Sequence, residues 1–369
     1  VVPAAIGANR SASAPALANV PAERLHPPGR TFTVAAVGDF LSEDHLNKIA
    51  AAAAPPGVRY DYEPLLRPVE DLVQRADLAI CHMETPIGRP GTSVGWIGRS
   101  AYGTSLLAAA PEAAKDLRRV GFDRCSTASN HANDLGLGGI DSTLAALDAA
   151  GLGHRGTART QGEAAVTTFE VNGVTVAHLA YARNSNTGFP RDAWRLSHVA
   201  GDPAPIQRDI ARARALGAEV VIVSLHVYVE MQKGPTADDR AMVTAISGTR
   251  GADLVVVHGP HVVQPVERVR GTLVFWSVGN FISAMGVPGR DRYTDPRTLD
   301  GLLATVRFTQ RSDGSWATLP WTVLLCNTAS DRLVYPAISW LRRTDLSPTL
   351  RAQLQACVAR SSAVVQQLK

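Results

Sequence analysis

The sequence predicts an α/β protein whose central strands are buried on both faces. Three observations carry this. Between Glu219 and Ser283 lie three short Val-rich runs, Val220–Leu225, Asp253–Val257 and Thr272–Val278, each bounded by turn or loop residues; such runs read as strands covered on both sides. Each run is followed at once by residues with donor or ligand atoms: His226, then His258-Gly259-Pro260-His261, then Gly279-Asn280. The same order, apolar run then polar rim, recurs upstream at Gly38-Asp39 and at Glu84. Ligand sites in α/β sheets lie outside the carboxyl ends of the strands, so these groups are candidates for one shared cleft.

Taken from the start, residues 1–30 are rich in Ala, Pro, Ser and Gly without periodicity and read as a surface arm. The first strand is Thr31–Val37, ending in Gly38-Asp39; alone, Asp39 would read as a turn or cap residue, and His45 just beyond it as a surface histidine. A helical stretch covers Tyr62–Arg75, with Pro68 as a possible start. The run Asp77–Thr85 is a second buried strand, and His82 and Glu84, two apart, share a face if extended. A buried Glu84 needs a partner. Residues 88–105 form a long Gly- and Ser-rich loop that is expected to wall the cleft, with Trp96, Arg99 and Tyr102 as candidate substrate contacts.

A helix over Pro111–Val120 then leads to a strand that feeds Asn130-His131. An Asn oxygen ligates metals and a His serves as ligand or proton donor; a helix cap followed by a packed His is the plainer alternative. A helix over Gly138–Ala150 follows. Asn172-Gly173 between alternating runs signals a β-hairpin over Ala165–Ala182, within which His178 reads as a core histidine. Residues 184–205 form a second polar loop near the cleft mouth, and Pro205–Leu216 an amphipathic helix. Leu302–Phe308 and Trp316–Leu325 read as antiparallel strands, and Ser347–Lys369 as a closing helix. Residues 31–310 thus form the main domain, with residues 311–369 packed on it.

Composition narrows the function. A chain of 369 residues that is 45% hydrophobic can bury a large core. The net charge of +4 is carried by dispersed arginines, with lysine only at Lys48, Lys115, Lys233 and Lys369. That pattern argues against nucleic acid as a partner and for mild attraction to anionic substrates. Four cysteines without CxxC spacing argue against a thiolate zinc site; Cys81 and Cys125, inside apolar runs, read as buried thiols rather than a redox pair. No apolar run approaches the ~20 residues that span a bilayer. The chain starts at Val1 without a signal-peptide pattern; a removed leader and an unusual start both fit.

The strand-end groups are Asp39, Glu84, Asn130, His131, His226, His258 and His261. Mixed oxygen and nitrogen donors suit Mn, Fe, Zn or Co rather than Ca or Mg. They are enough for two divalent ions about 3.5–4 Å apart, a pair that lowers the pKa of a shared water to roughly 7.

In order, Gly38-Asp39, Met83-Glu84-Thr85-Pro86, Asn130-His131 with Asp134 and Gly136, Ser224-Leu225-His226 with Glu230, His258-x-Pro260-His261-Val262 with Gln264, and Ser277-x-Gly279-Asn280-Phe281 resemble the CapA family. That family is named for poly-γ-glutamate capsule biosynthesis and belongs to the calcineurin-like metallophosphoesterase superfamily. The likeness covers roughly Thr31–Phe308. It implies a four-layer α/β/β/α sandwich with a dimetal cleft at the strand ends. It implies that Asp39, Glu84, Asn130, His226, His258 and His261 are metal ligands or their near neighbours, with Glu84 where a bridging carboxylate often stands, and that His131 is the general acid. Glu230 and Asn280, with Arg99, are the candidate substrate contacts.

The resemblance also implies export to the cell envelope, an anionic polymer or phosphoester substrate, and a membrane-bound polymer synthase complex as partner. Two functions stay open: a metal-dependent hydrolase, and a non-catalytic accessory component of polymer synthesis or export. Three positions depart from the pattern, with Leu41 where the superfamily has His, Gly259 where a second His often follows His258, and Val227-Tyr228 in place of Trp-Gly.

Overall fold

The computed structural model describes residues 29–365 apart from 228 and 287–293. The expected arm up to residue 28, Tyr228 and the tip of the 285–298 stretch therefore lie outside the described residues.

Chain order gives β1 (Thr31–Phe40), β2 (Leu78–His82), the hairpin β3 (Gly95–Arg99) and β4 (Ser105–Ala108), then β5 (Arg124–Ser126) and β6 (Gly153–Arg155). The second half gives β7 (Phe169–Val171), β8 (Val174–Ala182), β9 (Val220–His226), β10 (Leu254–His258), β11 (Val266–Val269), β12 (Thr272–Phe275) and β13 (Asn280–Ile282). The last strands are β14 (Asp300–Gln310), β15 (Trp316–Asn327) and β16 (Val334–Pro336). Among the described residues these form an eight-stranded sheet ordered β16-β15-β14-β1-β2-β5-β6 with β13 also on β1, a six-stranded sheet ordered β11-β12-β10-β9-β8-β7, and the separate β3–β4 pair. In the first sheet β1, β2, β5 and β6 run parallel; in the second, β8, β9, β10 and β12 do.

The two-residue period of a strand assigns the layers. Phe32, Val34 and Ala36 of β1 and Leu78 and Ile80 of β2 share one core with Val174, Val176, Val220, Ile222, Leu254, Val256 and Phe275 of the other sheet. The sheets therefore face each other. The alternate residues Ala35, Val37, Ala79 and Cys81 pack outward on helices that include Asp44–Ala53, Glu112–Val120 and Gly136–Ala149. Val221, Val223, Val255 and Val257 pack on helices Ala204–Ala215 and Ala237–Ile246. This is the expected four-layer α/β/β/α sandwich.

The details depart from expectation where local chemistry intervenes. The Tyr62–Arg75 helix splits into Glu63–Leu66, a 3₁₀ turn at Arg67–Val69 and Glu70–Gln74, because Pro68 has no N–H to continue the ladder. The loop over 88–105 contains the β3–β4 hairpin, tied down by the Trp96 N–H donating to Asp44 Oδ1 at 2.8 Å and the Thr104 hydroxyl donating to Asn186 O at 2.9 Å. The expected strand Thr272–Val278 ends at Phe275, since the chain then crosses to the other sheet, where β13 pairs with β1 and sets Asn280 opposite Asp39.

The cysteines need correction. Cys81 is bonded to Cys125, and Cys326 to Cys357. β2 and β5 are adjacent parallel strands with Cys81 directly opposite Cys125, which brings two residues 44 apart in sequence into bonding reach. The second bond ties β15 to the C-terminal helix Pro348–Val365. β15 extends the main sheet along the whole of β14.

Candidate metal centre

The carboxyl ends of both sheets open on the same side. Asp39 ends β1 opposite His82 of β2, and His226 ends β9 opposite His258 of β10. Close backbone approach makes this possible. A Cβ at Gly38 would lie 1.8 Å from Gly279 O, so only glycine lets β1 meet the crossing strand, where the Asp39 N–H donates to Gly279 O at 3.1 Å.

Six fully buried groups converge there: Asp39, His82, Glu84, His226, His258 and His261. Ligand atoms of Asp39, His82, Glu84 and His226 all lie within 4.8 Å of one another. His82 Nε2 is 3.0 Å from His226 Nδ1, and Asp39 Oδ1 is 3.9 Å from His82 Nε2. The same Asp39 Oδ1 is 3.6 Å from His258 Nδ1, and Asp39 Oδ2 is 3.0 Å from His261 Nδ1. Glu84 Oε1 lies 3.8 Å from His226 Nε2 and 3.9 Å from His261 Nε2, too far for a hydrogen bond.

The decisive observation is what these atoms lack. Asp39 Oδ1, both Glu84 oxygens, Asn130 Oδ1 and His258 Nδ1 are buried without a hydrogen-bond partner. A buried carboxylate with neither oxygen bonded is strongly penalised unless a cation completes it. The donor set is oxygen and imidazole nitrogen, which suits a divalent transition ion. The cluster can hold a metal ion.

Electrostatics agree. Burial and the neighbouring Asp39 charge push the Glu84 carboxyl well above the usual range. Burial also resists ionising Asp39, but His258 and His261 outweigh it and hold its carboxyl well below that range. Burial pushes His226 down to about 3, against the pull of Asp39. Burial opposes charging His261 too, yet Glu84 and Asp39 raise it to about 10. The two carboxylates thus pull its ring toward the charged form in the metal-free cluster.

His261 has φ 58°, a strained conformation for a non-glycine residue. It is held by Asp39 and by Asn280 Oδ1, 2.9 Å from Nδ1. Asn280 was expected at the substrate. Instead it is fully buried, and its amide donates to Thr298 O at 3.0 Å and Ser283 Oγ at 3.1 Å; every polar atom is used in orienting His261. At the departure Gly259, φ is 98° and a Cβ would lie 2.9 Å from His226 Nε2. A second histidine there would displace the first.

Above the cluster lies a cleft of about 260 Å³ lined by Asn130, His131, Asn186, Glu230 and His261, with Trp96 of the hairpin on its wall. His131 Nδ1 is 2.5 Å from Asp134 Oδ2, and the Asn186 amide is 3.2 Å from the same ring nitrogen. Leu41 also lines the cleft and packs with Leu107 and Met285, so the first-motif position is apolar. Arg99 is not brought to the cleft; it is exposed and donates to Gly103 O at 2.8 Å within its own hairpin. His178 is a satisfied core residue, accepting from Arg124 Nε at 3.1 Å with Ser224 Oγ 3.0 Å from its other nitrogen.

Sequence reasoning left His82 out of the ligand set and did not single out Asn186. The signal for His82 was present, since it shares a strand face with Glu84. Asn186 sits in the loop expected at the cleft mouth, but nothing distinguished it there.

These observations define the class: a four-layer α/β sandwich with a buried oxygen and imidazole cluster at its strand ends that can hold a metal ion. The chain belongs to the family described as bacterial capsule synthesis protein PGA_cap, whose pattern matches residues 33–285. It is 28% identical over 255 residues to the PGA biosynthesis protein CapA of Bacillus subtilis (strain 168), an alignment covering 68% of this chain and 63% of that protein. It is 25% identical over 265 residues to the capsule biosynthesis protein CapA of Bacillus anthracis, covering 71% and 62%. The match thus spans less than two thirds of either relative. The structure of Haemophilus influenzae NAD nucleotidase (NadN) aligns over 92% of this chain and 61% of that one at TM-score 0.42 and 10% identity, a likeness too loose to bear on chemistry.

Proposed function

We propose that this chain is a metal-dependent hydrolase of the phosphoesterase type that acts in assembly of an anionic capsule polymer at the cell envelope. The observation that carries this reading is the set of unpartnered donors on Asp39, Glu84, Asn130 and His258 beside three further imidazoles. The donors crowd around the two carboxylates, with His82 and His258 facing Asp39 Oδ1, His261 facing Oδ2, and His226 and His261 both facing Glu84 Oε1. Their number is enough for two ions of Mn, Fe or Zn. Bound there, such ions would supply Lewis acidity that lowers the pKa of a water and clamps the oxygens of a displacement.

His131 has the geometry of a general acid. Nδ1 lies 2.5 Å from Asp134 Oδ2, and the Asn186 amide nitrogen lies 3.2 Å from Nδ1 and 3.4 Å from Nε2; these contacts fix the ring, and a proton carried on Nε2 would pass to a leaving group at the cleft. Asp134 also accepts from the Leu107 N–H at 2.8 Å, so its own position is set by the cleft wall. Glu230 at the rim would repel a second negative group and so direct how a substrate enters. Two disulfides favour an oxidising compartment, in keeping with export, where a polymer synthase complex in the membrane would be the partner.

Hydrolysis of bis(p-nitrophenyl) phosphate by metal-loaded and chelator-treated protein tests the proposal. Turnover that requires Mn, Fe or Zn and is lost on chelation and in Asp39→Ala supports it; no turnover with any of the three metals refutes it. One observation favours an accessory role instead: Leu41 makes the first-motif position apolar. Under that reading, His131→Ala would leave polymer production unchanged in cells.

A further inference from the structure

The opposite end of the strands carries a second polar site. A pocket of about 510 Å³ is lined there by Arg250, Arg268, Arg270 and Arg311, with Thr249 and Thr318 among its hydroxyls. Its walls include Asp253 and Thr272, which stand at the amino ends of β10 and β12. The cluster at His226 and His258 lies at the carboxyl ends, so a strand of five to seven residues puts the two sites about 20 Å apart.

The charge balance is unusual. The carboxylates around this pocket are already engaged. Asp253 pairs with Arg214 at 2.7 Å, Glu219 pairs with Arg30, and Glu267 accepts from Arg240 at 2.8 Å. Asp313 accepts from Ser315 N–H at 2.9 Å, and its charge also acts on Arg311, without an ion-pair contact. Among the described residues, Arg250, Arg268, Arg270 and Arg311 form no ion pair with any carboxylate. Arg268 donates only to neutral oxygens, to Thr318 Oγ1 at 2.8 Å and Gly271 O at 3.3 Å, and Arg311 donates to Ser315 Oγ at 3.2 Å. Burial and the nearby Arg311 both press against the charge on Arg268. Four guanidinium groups around one concavity repel each other, and an anion seated between them relieves that repulsion. Their planar forks match an oxyanion in two-point contact.

We propose that this pocket is an anion site for a phosphate group, either free or on a lipid headgroup, separate from the metal centre. Alanine at Arg250 and Arg311, both exposed, removes two of the four charges without opening the core.

The test uses the full chain after chelation, so that the metal centre cannot bind the probe. Pyrophosphate is titrated by calorimetry into wild type and Arg250→Ala/Arg311→Ala. In parallel, phosphatidylglycerol and phosphatidylcholine vesicles are used for co-sedimentation. The expected result is salt-sensitive binding, to pyrophosphate or to the anionic vesicles alone, that weakens at least tenfold in the double variant while the thermal midpoint is kept. Pyrophosphate binding assigns a soluble ligand, and vesicle binding alone assigns a headgroup. Equal binding by wild type and variant, or binding by neither probe, would overturn the proposal. None of these outcomes depends on whether the metal centre is catalytic.

Discussion

His82 Nε2 and His226 Nδ1 lie 3.0 Å apart, one imidazole from each sheet, meeting across the sandwich. His82 is fixed behind by Ser126 Oγ, 2.6 Å from Nδ1, and its ring stacks on His258 with centroids 4.0 Å apart. The contact joins the two halves of the cluster, and it gives His82 a role that its own strand would not reveal. Replacing His82 with Ala should weaken Zn affinity roughly 10–100-fold, the range seen when groups supporting a metal site are lost, with the far-ultraviolet circular dichroism unchanged. Competition titration against a chromophoric chelator measures this. Unchanged affinity would remove His82 from the centre.

Proton donation by His131 should depend on the leaving group. His131→Ala should lower kcat by roughly 10²–10³-fold for an alkyl phosphodiester, and far less for p-nitrophenyl esters, whose leaving group needs no proton. Metal content should be unchanged. Asp134→Asn keeps a side-chain oxygen beside the ring, so a smaller loss is expected. Equal losses on both substrate types would argue that His131 acts otherwise.

The contributions of His226 and His261 to the stability of the metal-free protein should together peak near pH 6.5. His226, pushed down to about 3 by burial against the pull of Asp39, is neutral when folded and protonates on unfolding. Its contribution is full above about 6.5 and is lost as pH falls toward 3. His261 runs the other way. Burial opposes its charge, but Glu84, Asp39 and Glu230 raise it to about 10, so its contribution is full below about 6.5 and is lost as pH rises through 10. Urea midpoints of chelated protein at pH 5, 6.5 and 8.5 should peak at the middle value. A steady rise across the series would contradict the assignment of a raised His261 in the chelated protein.

Reduction should destabilise the fold. The two disulfides close sequence separations of 44 and 31 residues, and chain entropy assigns each a contribution of about 4 kcal/mol. Cys326→Ser/Cys357→Ser should release the C-terminal helix first, seen as faster amide exchange over 348–364 while exchange at β9 and β10 stays slow. Uniform acceleration throughout the chain would show that the helix is not a separable unit.

The sandwich was legible because its central strands are buried on both faces and so read as unbroken Val runs, each followed by its ligand residue. Asp39, Glu84, His226, His258 and His261 were visible as strand-end groups for that reason. What stayed hidden depends on contacts across layers. His82 meets His226 only once the two sheets face each other, and Cys81 meets Cys125 only through strand order. The β3–β4 hairpin carries Gly95, Gly98 and Gly103, which mask its alternation. Asn280 read as a rim residue until the crossing to β1 turned it inward against His261.

The most direct measurement is elemental analysis of protein purified without added metal, followed by equilibrium uptake of Mn, Fe and Zn by wild type and by Asp39→Ala. The expected result is stoichiometric transition metal in wild type, as isolated or after micromolar loading, and its loss in the variant, because both Asp39 oxygens face imidazoles of the cluster. Wild-type protein that is isolated without metal and takes up none at these concentrations would contradict it.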